Sequence, residues 1–253
     1  MISVQTLIAR PSIVQGLKIY PPLVKEIDDD FLYSMGIITT SIEDIEDHFS
    51  ELRKLADEGK INLDLGEDFV EPTPLEFILA NCHESKTYEE KVRKAFQILF
   101  KKEITILYEE NRIFVGNLEQ EILNSTKASE LIFIEEDNFF EIQNGIRRAL
   151  GRKEAEKPDP DEHPKVKEFK ARMRYRDKVK AKSGKGVSLE GALAAICCTG
   201  IGITPLNIGE MSYAAVTTLL SIYQDKESYE VDLQSILAGA DSKKVKPKYW
   251  IGN

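Results

Sequence analysis

Residues 104–116 read ITILYEENRIFVG: two runs of β-branched and aromatic residues, Ile104–Tyr108 and Arg112–Gly116, around the polar turn Glu109–Asn111. That alternation is the pattern of a β-hairpin. Its neighbours carry the helical period instead. Upstream, Thr87 followed by Glu90 has the capping-box spacing and opens a helix over Tyr88–Lys102, with Val92, Ala95, Phe96 and Leu99 on one face. Downstream, a short strand is expected at Leu131–Ile134. Asn138 with Glu141 then caps a helix over Phe139–Leu150, whose Phe140, Ile142, Ile146 and Leu150 are expected to face a core. A period that switches from helix to hairpin and back, without regular βαβ alternation, predicts an α+β fold.

The segments before this one agree. Apolar residues of Ser3–Arg10, then Pro11 and Gly16, then Leu17–Tyr20, suggest a first hairpin. Pro21-Pro22 closes it, and Leu23–Asp30 is expected to form a short helix. Thr40 and Glu43 form a capping box before Ile42, Ile45, Phe49, Leu52 and Leu55, a run that Gly59 stops. Thr73-Pro74 opens a helix over Leu75–Cys82.

After residue 150 the character changes. Gly151–Pro164, GRKEAEKPDPDEHP, holds three prolines and eight charged residues and reads as an exposed linker. Lys165–Lys185 then has ten Lys/Arg against two acids, interleaved with Val166, Phe169, Met173 and Val179, and is expected to be an exposed basic helix. Ser188 caps Leu189–Thr199. Asn207 with Glu210 caps an apolar helix over Ile208–Gln224, and Glu227–Leu237 forms a further helix ended by Gly239. A helix as apolar all round as Ile208–Gln224 is central to its bundle or buried against a partner. The division predicted is an acidic α+β domain of short helices and β-hairpins (1–150), a charged proline-rich linker (151–164), and a basic helix plus a mainly α-helical C-terminal unit (165–253).

Charge follows the same division. Residues 1–150 carry 16 Lys/Arg against 29 Asp/Glu, a net −13, whereas 151–253 carry 18 against 14, a net +4. The overall −9 argues against nucleic acid as the main partner, because phosphate binding needs a dominant basic surface. With 42% hydrophobic residues in 253 there is material for a sizeable core. No apolar run reaches the length of a membrane span, and MISVQTLIARPS lacks the layout of a secretory signal. Cys82, Cys197 and Cys198 suit neither a disulfide framework nor a zinc site; the adjacent pair is expected to be buried as small apolar residues in a reducing cytoplasm.

The search for chemistry yields little. His48, His83 and His163 lie on a polar helix face, at a helix end and in the linker, without metal-ligand spacing. Cys82 and His83 are neighbours on one helix, pointing about 100° apart, a poor nucleophile–base pair. Ser183-Gly184-Lys185-Gly186 and Gly200-Ile201-Gly202 lack the remaining residues of a phosphate loop or a dinucleotide fingerprint and read as turns. Asp28-Asp29-Asp30 does not alternate as calcium loops do and reads as a solvated helix end. No catalytic, metal-binding or cofactor-binding residue is expected. The basic helix, with Lys170, Arg172, Arg174 and Arg176, reads as a solvated face, a docking element for an acidic surface, or a nucleic-acid contact with only Tyr175 to stack.

Several stretches resemble the tail assembly proteins of long-tailed bacteriophages. They are Ile203–Ile208, the helix end Leu219–Gln224, and the close Leu237-Ala238-Gly239-Ala240-Asp241 with Lys246-Pro247-Lys248-Tyr249-Trp250. Gly16–Leu23 and Asp137–Ile142 are similar to segments of other phage tail-module proteins. The resemblance implies a non-enzymatic protein of the host cytoplasm, without cofactor, that binds the helical tape-measure protein as a chaperone during tail morphogenesis, with other tail proteins and a second copy of itself as further partners. The alternatives are a structural tail or baseplate component retained in the virion and, third, a nucleic-acid-associated protein using residues 165–185. Partner-binding residues expected are Tyr213, Leu220, Tyr223, Lys246, Lys248, Tyr249 and Trp250. Tyr213 and Tyr223 have core packing as their plainer reading.

Overall fold

The structure, a computed structural model, describes residues 8–62, 69–118, 131–157, 159, 161–183, 188–241, 245 and 247–249, with the backbone alone at 164 and 177–183. It is a mixed α+β architecture with hairpins in the N-terminal part and a helical C-terminal region.

The first hairpin pairs β1 (Ser12–Val14) with β2 (Leu17–Ile19), antiparallel, Val14 opposite Leu17. Gln15 (φ 49°) and Gly16 (φ 79°) are both left-handed, the requirement of the two-residue turn that matches strand twist. This turn sets the register, and the strand paired with Leu17–Ile19 is Ser12–Val14; most of the expected Ser3–Arg10 strand lies outside the described residues. Leu23–Asp30 is not one helix. A single 3-10 turn at Val24–Glu26 gives way to extended Ile27, and α1 (Asp29–Ile38) begins where the Asp28 carboxylate accepts the Phe31 N–H at 2.8 Å.

Caps fix the later helices too, often a few residues from where spacing alone puts them. Ser41, not Thr40, caps α2 (Ile42–Asp57), with Asp44 answering from the first turn. Thr73 and Glu76 box the start of α3 (Pro74–Glu84). Ser85 takes over from Thr87 as the cap of α4 (Lys86–Phe100). The second hairpin stands as read: β3 (Ile104–Leu107) pairs with β4 (Arg112–Val115), and β5 (Phe133–Ile134) adds to β4 as a third antiparallel strand. Helix α5 (Glu136–Ala149) starts three residues earlier than expected. Asn138 sits inside its first turn, accepting the Glu135 N–H at 2.9 Å and donating to the Phe133 carbonyl at 2.8 Å. The register of α5 makes Phe139 the buried ring, while Phe140 is half-buried beneath the Lys157 ammonium.

The main core lies between α1, α3, α4, α5 and the two sheets; Phe31, Met35, Ile78, Phe96, Leu99, Ile113 and Ile142 are among its fully enclosed members. Gly145 lets α5 lie directly on the first hairpin: a Cβ there would stand 2.6 Å from Ile19 Cδ1 and 2.9 Å from Val14 Cγ2. Residues 151–157 are mostly exposed yet tied along α5. The Asn144 amide both donates to and accepts from the Ala155 backbone (3.2 and 2.8 Å), and Arg152 donates to Thr39 Oγ1 at 3.0 Å.

The C-terminal region begins with α6 (Pro164–Ser183), then α7 (Leu189–Cys197), capped by Ser188. The Asn207-Glu210 signal marks only a 3-10 turn, Ile208–Glu210. The helix proper, α8, is capped by Ser212 and runs unbroken over Tyr213–Leu237, joining the two helices expected separately. No glycine or proline interrupts that stretch, so nothing local stops propagation. A second, small core gathers Ile196, Ile203, Ile208 and Val216 with Val24 from the N-terminal part. Cys197 is half-buried against it and Cys198 is exposed, in contrast to the buried pair expected. No helix among the described residues is long and apolar enough to cross a membrane.

Candidate functional site

Helix α8 holds three of the seven residues picked out as partner-binding, Tyr213, Leu220 and Tyr223, and it is built in two unlike halves. In the first, Ala214, Ala215 and Val216 are buried, and Leu219 and Leu220 pack on the small core. Tyr213 belongs to this anchored half: its N–H donates to the Pro22 carbonyl at 2.9 Å and its ring packs against the main core. From Gln224 to Leu237 no residue is buried. This half extends about 21 Å at 1.5 Å per residue. Ile222, Val231 and Leu233 are exposed, and Leu237 is 87% exposed.

Along the projecting half, Ile222, Lys226, Tyr229, Leu233 and Ile236 recur at alternating steps of four and three, which places them on one stripe of the helix. Asp225 and Asp232 flank the stripe on one side and Glu230 on the other, while Glu227 lies further round the helix. Lys226 pairs with Glu230 at 3.5 Å, and Tyr223 donates its hydroxyl to Glu227 at 2.6 Å, an acceptor that raises the phenol's pKa. Tyr249, itself 56% exposed, sets its ring edge-on to Tyr229 with centroids 5.5 Å apart. Lys248 is exposed beside it. Lys246 and Trp250 lie outside the described residues. Tyr229, which the sequence reading passed over, is therefore where the described tail meets the helix. Its signal was the heptad spacing to Ile222 and Ile236, visible only once α8 is read as continuous.

The basic helix α6 presents its cations to carboxylates of its own chain. Lys167 pairs with Glu46 at 3.1 Å, and Arg174 with Asp47 at 3.5 Å, both on α2. Lys170 pairs with Glu162 at 2.5 Å, a contact that raises its pKa, and with Glu156 at 3.8 Å. Arg172 pairs with Glu168 one turn back at 2.6 Å, and Arg176 lies 3.9 Å from the Met173 sulfur. No side chain described on α6 is buried, and Phe169 and Tyr175 are 64% and 69% exposed. The helix is held by charge, over an open groove in which Ile42, Phe169 and Met173 supply the apolar lining.

The remaining candidates for chemistry are placed as follows. Cys82 is buried, and the loss of solvation, reinforced by nearby Glu89, pushes its thiol up to about 12. A thiol held protonated at neutral pH does not act as a nucleophile. His83 packs edge-on to Tyr108 at 5.1 Å. The Tyr88 hydroxyl is buried without a hydrogen-bond partner among the described residues, and burial raises its pKa. His48 lies against Phe49 and Phe77. In the Asp28-Asp29-Asp30 run, Asp28 pairs with Lys94 and Asp30 with Lys91. Among the described residues no group of three or more His, Cys, Asp or Glu is placed to hold a metal ion. Compared with protein-family models, with curated proteins and with solved structures, the chain matches none.

Proposed function

We propose that this chain is a non-enzymatic assembly factor of a long-tailed bacteriophage, one that binds a helical partner, the tape-measure protein, through the projecting half of α8. The family comes from the resemblance of Ile203–Ile208, of Leu219–Gln224, and of Leu237–Asp241 with Lys246–Trp250. The observation that carries the binding mode is the two-part build of α8. Its first turns are anchored in a core, while along the stripe Ile222 and Leu233 are exposed and Tyr229 and Ile236 half-buried, an unburied face of the kind that helix-in-groove and helix-on-helix recognition uses. Working in the host cytoplasm, such a protein keeps a long amphipathic partner soluble by covering its apolar face.

One observation favours the alternative of a retained tail or baseplate subunit. The N-terminal strap and the C-terminal unit are joined by backbone hydrogen bonds, Val24 N–H to the Met211 carbonyl and Tyr213 N–H to the Pro22 carbonyl, each 2.9 Å. That gives a rigid body suited to a permanent lattice. The nucleic-acid reading is weakened because Lys167, Lys170 and Arg174 already face carboxylates of the same chain.

The test is a tagged pull-down from infected cells beside mass spectrometry of purified particles. Recovery with a tape-measure protein, lost in Leu233→Glu, together with absence from particles, supports the chaperone. A fixed copy number in particles replaces it with the structural reading. Recovery unaffected by Leu233→Glu removes α8 as the binding element.

A further inference from the structure

The projecting stripe of α8 also carries a charge code. Between Ile222 and Leu237 stand four carboxylates, Asp225, Glu227, Glu230 and Asp232, against the single Lys226. Asp225, Glu230 and Asp232 lie at the seam's edges, on both sides of the stripe, at the places where paired helices read each other's charge, while Glu227 lies further round the helix and accepts from Tyr223. Lys226 meets Glu230 within the helix, and the charges that this half of the helix itself carries remain net negative, with Lys248 as the tail's described cation beside Tyr249. Two copies of α8 laid together would set carboxylate rows against carboxylate rows, a repulsion that disfavours self-pairing. A helix with Lys or Arg beside its apolar seam would bury the same stripe and gain from the opposed charges.

We propose that the occupant of this surface is a cationic amphipathic helix of a partner protein: apolar residues at three- and four-residue spacing, flanked by Lys and Arg. The inference rests on the reading of α8 as a docking element and adds the partner's chemistry to it. Lys226, the polar member of the stripe, fixes the register by requiring an acceptor, or a gap, opposite it. Tyr249 on Tyr229 is then a small cover over the middle of the seam that the incoming helix displaces.

The experiment uses the full chain and two synthetic three-heptad peptides with identical Leu/Ile seams, one flanked by Lys and one by Glu, titrated by fluorescence anisotropy. At about 0.1 M salt the Lys peptide binds at least about tenfold tighter, and the gap closes towards about 1 M salt as the charges are screened. The triple variant Asp225→Lys, Glu230→Lys, Asp232→Lys, changed only on the projecting half, inverts the preference. Equal affinity for the two peptides, or tighter binding of the Glu peptide, overturns the charge code while leaving α8 as a docking element. Binding of neither peptide overturns both. Dimerisation of the chain alone that Leu233→Glu abolishes overturns the proposed occupant in favour of a second copy.

Discussion

Leu23 and Ser212, from opposite ends of the chain, face each other in an isolated antiparallel bridge. Lys25 and Glu210 close the same strap with a 2.8 Å ion pair, and Val24 enters the small core beside Ile196 and Val216. The ion pair is exposed on both sides and adds little by itself. The backbone bonds and the shared apolar cluster join the acidic part to the helical part here, beside the Tyr213 ring on the main core and the ion pairs between α6 and α2.

The small core should therefore couple both parts in unfolding. Ile196→Ala, at a fully enclosed position, is expected to cost about 2–4 kcal/mol. Urea unfolding followed by circular dichroism should keep a single transition at a lower midpoint. A split into two steps, with the N-terminal part unchanged, would show that the strap does not couple them.

Gly145→Ala should destabilise despite the better helix former. The new methyl would meet Ile19 Cδ1 at 2.6 Å, and overpacking of this kind costs about 1–3 kcal/mol against the roughly 1 kcal/mol gained in propensity. Ile19→Val, which removes the nearer methyl, should recover part of the loss in the double mutant. A melting temperature raised by Gly145→Ala alone would contradict the close approach of α5 to the first hairpin.

Helix α6, held through Lys167–Glu46 and Arg174–Asp47, should loosen with salt. Raising NaCl from about 0.1 to about 1 M shortens the screening length from about 10 to about 3 Å. Tryptic cleavage within Lys165–Arg176 should accelerate, and Glu46→Lys with Asp47→Lys should reproduce that rate at low salt. Cleavage indifferent to both would mean that something other than charge holds the helix.

Asp28 supplies a pH signature. Its hydrogen bond from Lys94, then that from the Phe31 N–H, hold the carboxyl below its ordinary 3.8. The carboxylate's stabilising contribution is therefore fully present above 3.8 and lost as pH falls through the lowered folded value. Asp28→Asn, which retains a capping oxygen, should melt earlier than the wild type at pH 6, and the difference should vanish in strong acid. A difference that persists below pH 2 would assign the effect to the cap's shape and not to its charge.

What the sequence made legible was whatever local chemistry controls. The hairpin at 104–116, the Thr73-Pro74 start and the Ser188 cap follow from residue type alone. The starts of α2, α4 and α5 slipped by one to three residues because Ser41 and Ser85 cap in place of the threonines Thr40 and Thr87, and because Asn138 acts from inside the first turn on the Glu135 N–H and not as the N-cap itself. Phe139, not Phe140, is the buried ring because it stands three and seven residues from Ile142 and Ile146, on the face that the helical period shares with them. The break expected near Gln224 came from a change of polarity, which alters what a helix faces and not whether it continues. The partners of α6 were foreseeable in kind, acid against base, but not the individual pairs, since those depend on where α2 lies.

Amide hydrogen exchange on the isolated full-length chain tests most directly the claim that α8 is anchored at one end and open at the other. Residues 214–220, packed on the small core, should be protected, while 224–237 should exchange at least about tenfold faster, because a helical half with no buried residue is marginal on its own. Protection in 224–237 should then rise when a helical partner is added. Equal protection of the two halves in the isolated chain would mean that the stripe is already covered, and the projecting half of α8 would lose its standing as a docking surface.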